Sequence, residues 1–182
     1  MTLVRRWVAI AVVVPLLVSG CSDDPEPTFE EPTETPSPTE TTSEPSEPEA
    51  WEVRSKAGAY EFVEHWVQTL NLSGAAGNTD ELAALSRSSC GTCANLIEYI
   101  DEVYGEGGSI RGRGWDVVQM GEIAGGASLS RPTIATRIRQ GAQVVHRTGP
   151  SETLRVPPET VSMSFSLRWD SGWTVADAVI VG

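Results

Sequence analysis

Two cysteines separated by two residues, Cys90 and Cys93, form the most chemically suggestive pair in this 182-residue sequence. They lie at the predicted start of a helix, where the positive end of the helix dipole stabilises a thiolate. Dithiol oxidoreductases place such a pair directly after a β-strand. Here a helix and a serine-rich loop precede it, and Cys93 lies on the apolar stripe of the following helix. The pattern therefore favours a structural disulfide between Cys90 and Cys93 over a thiol oxidoreductase.

Two histidines and one aspartate are the other candidates for chemistry. His65 lies toward the polar edge of the first predicted helix, one turn after Glu61, so we expect it to be exposed. His146 lies on a short predicted strand and can point into a pocket or into water. Asp177 alternates with valines along the last strand, and burial on that face would raise its pKa and make it a candidate acid or base. A sheet edge or an arginine partner would instead leave Asp177 without a catalytic role.

Metal, nucleotide and nucleic-acid binding find little support in the sequence. The nearest histidine to the cysteine pair, His65, is too distant to complete a compact zinc site. The glycine clusters at 105–108 and 121–126 lack the spacing of a dinucleotide-binding loop and the Lys-Ser/Thr of a P-loop. The formal net charge is −12, which argues against a nucleic-acid binder driven by positive charge. We expect no metal, no cofactor and no nucleic-acid partner.

The first 20 residues have the pattern of a secretory signal peptide. Arg5 and Arg6 precede an apolar run, Trp7 to Val18, that is too short to span a bilayer. The run leads into residues 18–21, Val-Ser-Gly-Cys, which resemble the bacterial lipobox. The resemblance implies a diacylglycerol on the Cys21 sulfur, cleavage before Cys21 and acylation of the new amino terminus. We therefore expect a protein that is secreted and then anchored by lipid to the outer face of the cell membrane.

Residues 21–50, which begin with the lipidated cysteine, form a predicted tether. After Cys21 the segment is rich in Pro, Ser, Thr, Asp and Glu, and it carries a charge of −10. Such a composition cannot bury enough apolar surface to fold, so we expect a disordered, extended linker. Residues 51–182 are the part of the chain that can build a core.

The helical period dominates the first half of this domain, and a period of two dominates the second half. One helix is predicted to follow Ser55, a short helix to start near Asn78 or Thr79, and a third to run from near Cys93 to Gly105. The predicted strands cover residues 110–123, 133–139, 143–147, 161–169 and 173–181. The predicted fold class is α+β, with N-terminal helices packed on a curved antiparallel sheet of about four to six strands.

Several short motifs in this domain resemble those of lipoproteins of high-GC Gram-positive bacteria that share a domain of unknown function. In addition to the lipobox and the acidic stalk, the motifs are Gly58 to Phe62, Ser89 to Cys93, Ile100 to Tyr104, Gly114-Trp115 and Gly172 to Val175. Because the function of that domain is unknown, the resemblance assigns a catalytic role to none of these residues. The order of elements is also similar to the nuclear transport factor 2-like cone, in which helices close over a curved sheet and leave a pocket.

The sequence favours a non-catalytic domain that binds a ligand or partner at the cell envelope. A small molecule, a cell-wall component and another protein are all compatible with it. Residues 109–182 carry a charge of +2, against −6 for residues 51–108, so the strand-rich half could face an anionic wall polymer. Two alternatives stay open: an enzyme that uses His146 or Asp177 in a pocket, and a thiol oxidoreductase that uses Cys90 and Cys93.

Overall fold

The structure, a computed structural model, describes residues 47–122, 128–148 and 153–181. The predicted signal peptide and almost all of the predicted tether therefore lie outside the described residues. The described chain begins with three residues of the predicted tether, 47–49, and a single turn of 3-10 helix, Ala50–Glu52.

Three helices follow in the order that the apolar periodicity predicts. They are α1 (Lys56–Ala76), α2 (Asp80–Ala84) and α3 (Gly91–Gly105). Ser55 caps α1 as expected, since its hydroxyl accepts a hydrogen bond of 2.9 Å from the backbone N–H of Gly58. Gly77 ends α1 with a φ of 76°, a conformation that a side chain would disfavour. In the described ranges, no helix is both long enough and apolar enough to cross a membrane.

Seven antiparallel strands are found within the described ranges. They are β1 (Ser109–Gly112), β2 (Trp115–Glu122), β3 (Thr133–Gln140), β4 (Gln143–His146), β5 (Thr153–Val156), β6 (Glu159–Trp169) and β7 (Trp173–Val181). The order in the larger sheet is β2-β3-β6-β7, and the order in the smaller one is β1-β4-β5. The predicted α+β class is confirmed, with the helices packed on antiparallel strands.

Sharp corners connect the two sheets. The predicted strand over residues 110–123 is in fact two strands, because the chain turns at Arg113 and Gly114 and enters the other sheet. A second corner lies beside it, where Arg113 donates its N–H to the Ala142 carbonyl (3.0 Å) and Gly141 donates to Gly114 (2.8 Å). The third corner is Pro157-Pro158, after β5, a strand that the sequence pattern did not indicate. Three stretches of β-structure, β1–β2, β3–β4 and β5–β6, are thus bent and shared between the sheets.

The core lies between α1 and the four-stranded sheet. Trp66 is fully buried and packs edge-on against Phe165, with ring centroids 5.4 Å apart. Its indole N–H donates to the Ser86 hydroxyl at 2.9 Å, so the polar edge of the ring is satisfied. Ile134, Ile138 and other apolar side chains of the sheet complete this core. Burial on one face of the long strands explains why their period of two was visible in the sequence.

A disulfide joins Cys90 and Cys93 at the start of α3. The loop before it is bonded to β7, since Arg87 donates its N–H to the Val175 carbonyl and Val175 donates to Leu85, both at 2.9 Å. The disulfide and these backbone hydrogen bonds hold the start of α3 against the edge of the larger sheet.

Candidate ligand-binding cleft

A cleft of about 480 Å³ opens beside the smaller sheet. Its walls come from the C-terminal half of α1, from α3 and from the corner between β1 and β2. The lining residues are Leu70, Asn71, Gly74, Ala75, Leu96, Tyr99, Ile100, Ile110, Arg111, Gly112, Arg113, Gly114, Trp115, Asp116, Gln140, Gln143 and Val156. The volume lies within the range of sites for small organic ligands, about 300–1,000 Å³.

Small side chains on the last turns of α1 keep the cleft open. Leu70 is followed along the lining face by Asn71, Gly74 and Ala75. A Cβ atom added at Gly74 would meet nothing within 4 Å. The space in front of this helix therefore exists because the sequence supplies no large side chain to fill it.

Asn71 fixes the corner between β1 and β2 to α1. Its Oδ1 accepts the backbone N–H of Trp115 at 2.7 Å, and its Nδ2 donates to the Trp115 carbonyl at 2.8 Å. A side chain at Gly114 would clash with the Asn71 amide, which explains why glycine precedes Trp115. The corner is held by side-chain contacts as well as by its own backbone.

Tyr104 holds the other wall of the cleft. Its hydroxyl proton is shared between the carbonyls of Gly74 (2.8 Å) and Ala75 (3.0 Å), and its oxygen accepts the N–H of Ile110 at 3.3 Å. Gly77 packs directly on the Tyr104 ring. One phenol therefore connects α3 to the end of α1 and the start of β1.

The interior of the cleft is mainly apolar, and its rim carries two cations that have no ion-pair partner in the part of the chain that the structure describes. Asp116, Arg111 and Arg113 are the charged residues of the lining. Asp116 pairs with the Arg139 guanidinium at 3.0 Å. Arg111 and Arg113 are exposed and make no ion pair with any described residue.

His146 lies outside the cleft, on the outer face of the smaller sheet. The residue is exposed, and its Nδ1 lies 3.1 Å from the Thr153 hydroxyl oxygen. Of the two positions that the sequence left open, the structure places it toward water. A strand residue next to the buried Val145 must face the opposite side.

Asp177 is exposed on β7, in the other sheet. Its Oδ1 accepts the backbone N–H of Ala178 at 3.0 Å. The expected alternation with valines is interrupted because the register shifts between Ser166 and Leu167, which pair with Asp177 and Val175. His146 and Asp177 thus lie in different sheets, and neither lines the cleft.

His65 is half-buried instead of exposed, which also corrects the sequence-based expectation. Its ring stacks on Trp51, with centroids 4.1 Å apart and planes within 2°. Its Nε2 lies 3.9 Å from the Glu81 carboxylate, and its side chain is 21% exposed. The turn around Trp51 covers this histidine, and helical periodicity alone could not reveal that contact.

The cysteine pair has the structural arrangement that the sequence favoured. Cys90 and Cys93 are bonded and are at most 1% exposed. Exchange requires a thiolate to reach a sulfur atom, and this bond is closed to solvent. Over residues 47–122, 128–148 and 153–181, no group of three or more His, Cys, Asp or Glu side chains is arranged to hold a metal.

The sequence matches the family of unknown function DUF6318 over residues 27–178. The chain belongs to the DUF6318 family. A search of the curated proteins finds no significant match.

In its fold, this DUF6318 protein is similar to the intermembrane space region of the chloroplast protein ARC6. That crystal structure has a TM-score of 0.52 and 13% identity, with 70% of this chain and 97% of that chain covered. The beta subunit of benzoate 1,2-dioxygenase from Burkholderia mallei ATCC 23344 has a TM-score of 0.45 and 8% identity, covering 70% and 89%. The likeness to ARC6 concerns the fold alone.

The residues that build the cleft of this DUF6318 domain are not singled out by the sequence pattern. Arg111 and Arg113 read as ordinary polar positions of a strand, and Asn71 as a polar position of a helix. A visible signal is the change along α1, from large apolar residues before Leu70 to Gly74 and Ala75 after it. The small side chains at the end of α1 leave a cleft because the corner between β1 and β2 lies beside them.

Proposed function

We propose that this DUF6318 protein is an extracytoplasmic lipoprotein, held at the outer face of the cell membrane by acyl chains on Cys21. Its folded domain binds a ligand in the cleft and catalyses no reaction. The observation that carries the proposal is the cleft itself, an opening of about 480 Å³ with a mainly apolar interior and fixed walls.

The proposed anchor is supported by the N-terminal sequence and by the disulfide. Arg5 and Arg6, the apolar run and residues 18–21 have the order of a lipoprotein signal. Disulfides persist in oxidising compartments outside the cytoplasm, and the bond between Cys90 and Cys93 fits export. The resemblance to lipoproteins of high-GC Gram-positive bacteria points to the same location.

A binding role is favoured because the lining offers recognition but little catalytic chemistry. Among the described residues, the lining includes no histidine, cysteine, serine or threonine, and its carboxylate, Asp116, is held by Arg139. General acid–base catalysis needs a titratable group within reach of the substrate. The two histidines of the chain lie outside the cleft lining. Apolar walls with a few polar groups are typical of ligand sites.

Native mass spectrometry tests the binding role. The protein is purified from its own cell envelope and measured before and after denaturation, so that a bound molecule appears as mass that is lost. The blocking variant is Gly74→Leu, which places a side chain in the open space of the cleft at a helical position that tolerates leucine better than glycine. The matched control is Gly105→Leu, at the exposed end of α3 and outside the lining.

We expect extra mass on the wild-type protein and on Gly105→Leu, and none or much less on Gly74→Leu. Cargo that is equally abundant on all three proteins would move the binding site away from the cleft. A wild-type protein that carries no cargo and binds no compound from a lipid and metabolite extract would overturn the binding role.

Metabolic labelling with an alkyne fatty acid tests the anchor. We expect label on the wild-type protein and on Ser22→Ala, which leaves the lipobox intact, and no label on Cys21→Ser. The unlabelled variant should also no longer co-sediment with membranes as the lipidated protein does. Equal labelling of Cys21→Ser would reject lipidation at this cysteine.

A further inference from the structure

We infer that the ligand of the cleft is a single-chain amphiphile with an anionic headgroup, its chain in the apolar interior and its headgroup at Arg111 and Arg113. The inference rests on the proposed binding role and adds the chemical class of the ligand. It follows from the charge balance of the rim, the apolar interior and the rigidity of the corner that carries both arginines.

The rim of the cleft has a net positive charge. Asp116 is neutralised by Arg139 at 3.0 Å, whereas Arg111 and Arg113 have no ion-pair partner among the described residues. The two guanidinium groups belong to residues two apart in the chain, well within the distance over which salt screens charge. Guanidinium groups match the geometry of carboxylate and phosphate oxygens, often with two hydrogen bonds each.

The interior of the cleft suits an alkyl chain. Leu70, Leu96, Ile100, Ile110 and Val156 line it from four different elements. An anion without a chain would leave this apolar surface in contact with water. A neutral chain would leave the two cations of the rim without a partner. A molecule that carries both parts satisfies both surfaces at once.

The corner that carries the arginines is fixed before any ligand binds. The Arg113 N–H donates to the Ala142 carbonyl at 3.0 Å, and Asn71 holds the next residue but one, Trp115, through two hydrogen bonds. Gly112, between the arginines, has a φ of 128° and lies against the Ala142 carbonyl. A preorganised site loses less conformational entropy on binding than a mobile one.

Three probes separate the contributions of the chain and the anion. They are dodecyl phosphate, dodecanol and inorganic phosphate, used below the concentration at which the first forms micelles. The protein is residues 22–182, which retain every described residue and lack only the signal peptide and the lipidated cysteine. The readout is the indole N–H resonance of Trp115, a residue of the cleft lining, assigned with Trp115→Phe.

The charge variant is R111Q/R113Q. The matched control is R131Q/R137Q, which removes the same charge from two exposed arginines outside the cleft lining. We expect the wild-type protein to bind dodecyl phosphate about tenfold more tightly than dodecanol, as one charge-assisted contact would give. R111Q/R113Q should lose this preference and the control should keep it. Added salt should reduce the preference, because the rim is exposed.

The other outcomes distinguish this inference from the proposed function. Equal binding of dodecanol and dodecyl phosphate by the wild-type protein would reject the anionic headgroup and leave a cleft that binds apolar chains. A preference that survives in R111Q/R113Q would reject the two arginines as its source. Binding of inorganic phosphate as tight as that of dodecyl phosphate would reject the alkyl chain.

If neither amphiphile moves the Trp115 resonance while native cargo is still lost in Gly74→Leu, the ligand belongs to another class and only this inference falls. If no cargo is found either, the binding role falls with it.

Discussion

The two halves of α1 face different environments, one closed and one open. The N-terminal half packs Phe62, Val63 and Trp66 against the four-stranded sheet, and all three side chains are fully buried. The C-terminal half presents Asn71, Gly74 and Ala75 to the cleft, beside the corner between β1 and β2. The helix is continuous from Lys56 to Ala76, so side-chain size and the sheet opposite make the difference.

The two sheets also differ, because the strands beside the closed end are long and the strands beside the open end are short. Strands β2, β3, β6 and β7 have 8 to 11 residues, and β1, β4 and β5 have four each. A long strand can bury a complete row of side chains, whereas a four-residue strand offers two positions per face. The fold thus has a closed core at one end and an open cleft at the other.

Trp66→Ala, at the closed end, should cause the largest loss of stability. The side chain is fully buried against Phe165 and its N–H is hydrogen-bonded, so we expect a loss of about 3–5 kcal/mol in the free energy of unfolding. Truncation of the smaller, partly buried Leu96 at the open end, Leu96→Ala, should lower the free energy of unfolding by about 1 kcal/mol, because water can enter the site and no closed cavity forms. Urea denaturation of both variants measures the difference.

Equal losses at Trp66 and Leu96 would contradict the contrast between the two ends. In that case the cleft would be closed in solution and Leu96 would be part of the core.

The closed end could be predicted from the sequence more completely than the open end. The apolar stripe of α1 and the alternation in β6 each reflect burial on one face, and both predictions are confirmed. The corner at Gly114 could not be predicted, because a strand that bends into a second sheet has the same local pattern as one long strand. The four-residue strand β5 is too short to show a period.

The misplacement of Asp177 has a different cause. One extra residue in β7, opposite Ser166 and Leu167, exchanges the inward and outward faces of the strand after Val175. Ala178 is therefore buried and Asp177 is exposed. A bulge depends on the partner strand, so no reading of a single strand reveals it. The residues of the cleft were missed for the same reason, since their proximity depends on the pairing of the corners.

Removing the hydrogen bonds between Asn71 of α1 and Trp115 at the corner should lower the free energy of unfolding less than Trp66→Ala does. It should change the structure of the cleft more. Asn71→Ala removes both hydrogen bonds to Trp115, and Gly114→Ala displaces the same amide. We expect each variant to lose about 1–3 kcal/mol of stability. The double variant should lose little more than either single one, because both remove one interaction. Urea denaturation gives the energies, and the Trp115 indole resonance reports on the cleft.

Gly121→Ala is the control for that pair of variants. It lies on the same strand, β2, and an added methyl group meets nothing within 4 Å, so stability and the Trp115 resonance should stay near their wild-type values. Fully additive losses in Asn71→Ala and Gly114→Ala would show that the two residues act separately.

The smallest effect is expected at Arg147, which connects α3 to the end of β4 at the open end. Its guanidinium donates to Glu102 at 2.9 Å, and this hydrogen bond and the positive charge hold the pKa of Glu102 below its ordinary value of 4.5. A carboxyl group whose pKa is lowered by folding stabilises the folded state above pH 4.5, and this contribution disappears as the pH falls through the folded-state pKa. Glu102→Gln should therefore lower Tm slightly at neutral pH and match the wild-type protein in acid.

Glu98→Gln provides the comparison, because Glu98 is exposed on the same helix and has no ion pair with a described residue. Thermal unfolding of the three proteins from neutral pH down to well below pH 4.5 makes the measurement. A difference between Glu102→Gln and the wild-type protein that persists unchanged in acid would mean that packing of the side chain, and not its charge, connects α3 to the smaller sheet. That outcome would make the open end resemble the closed end, where apolar contacts already provide the stability.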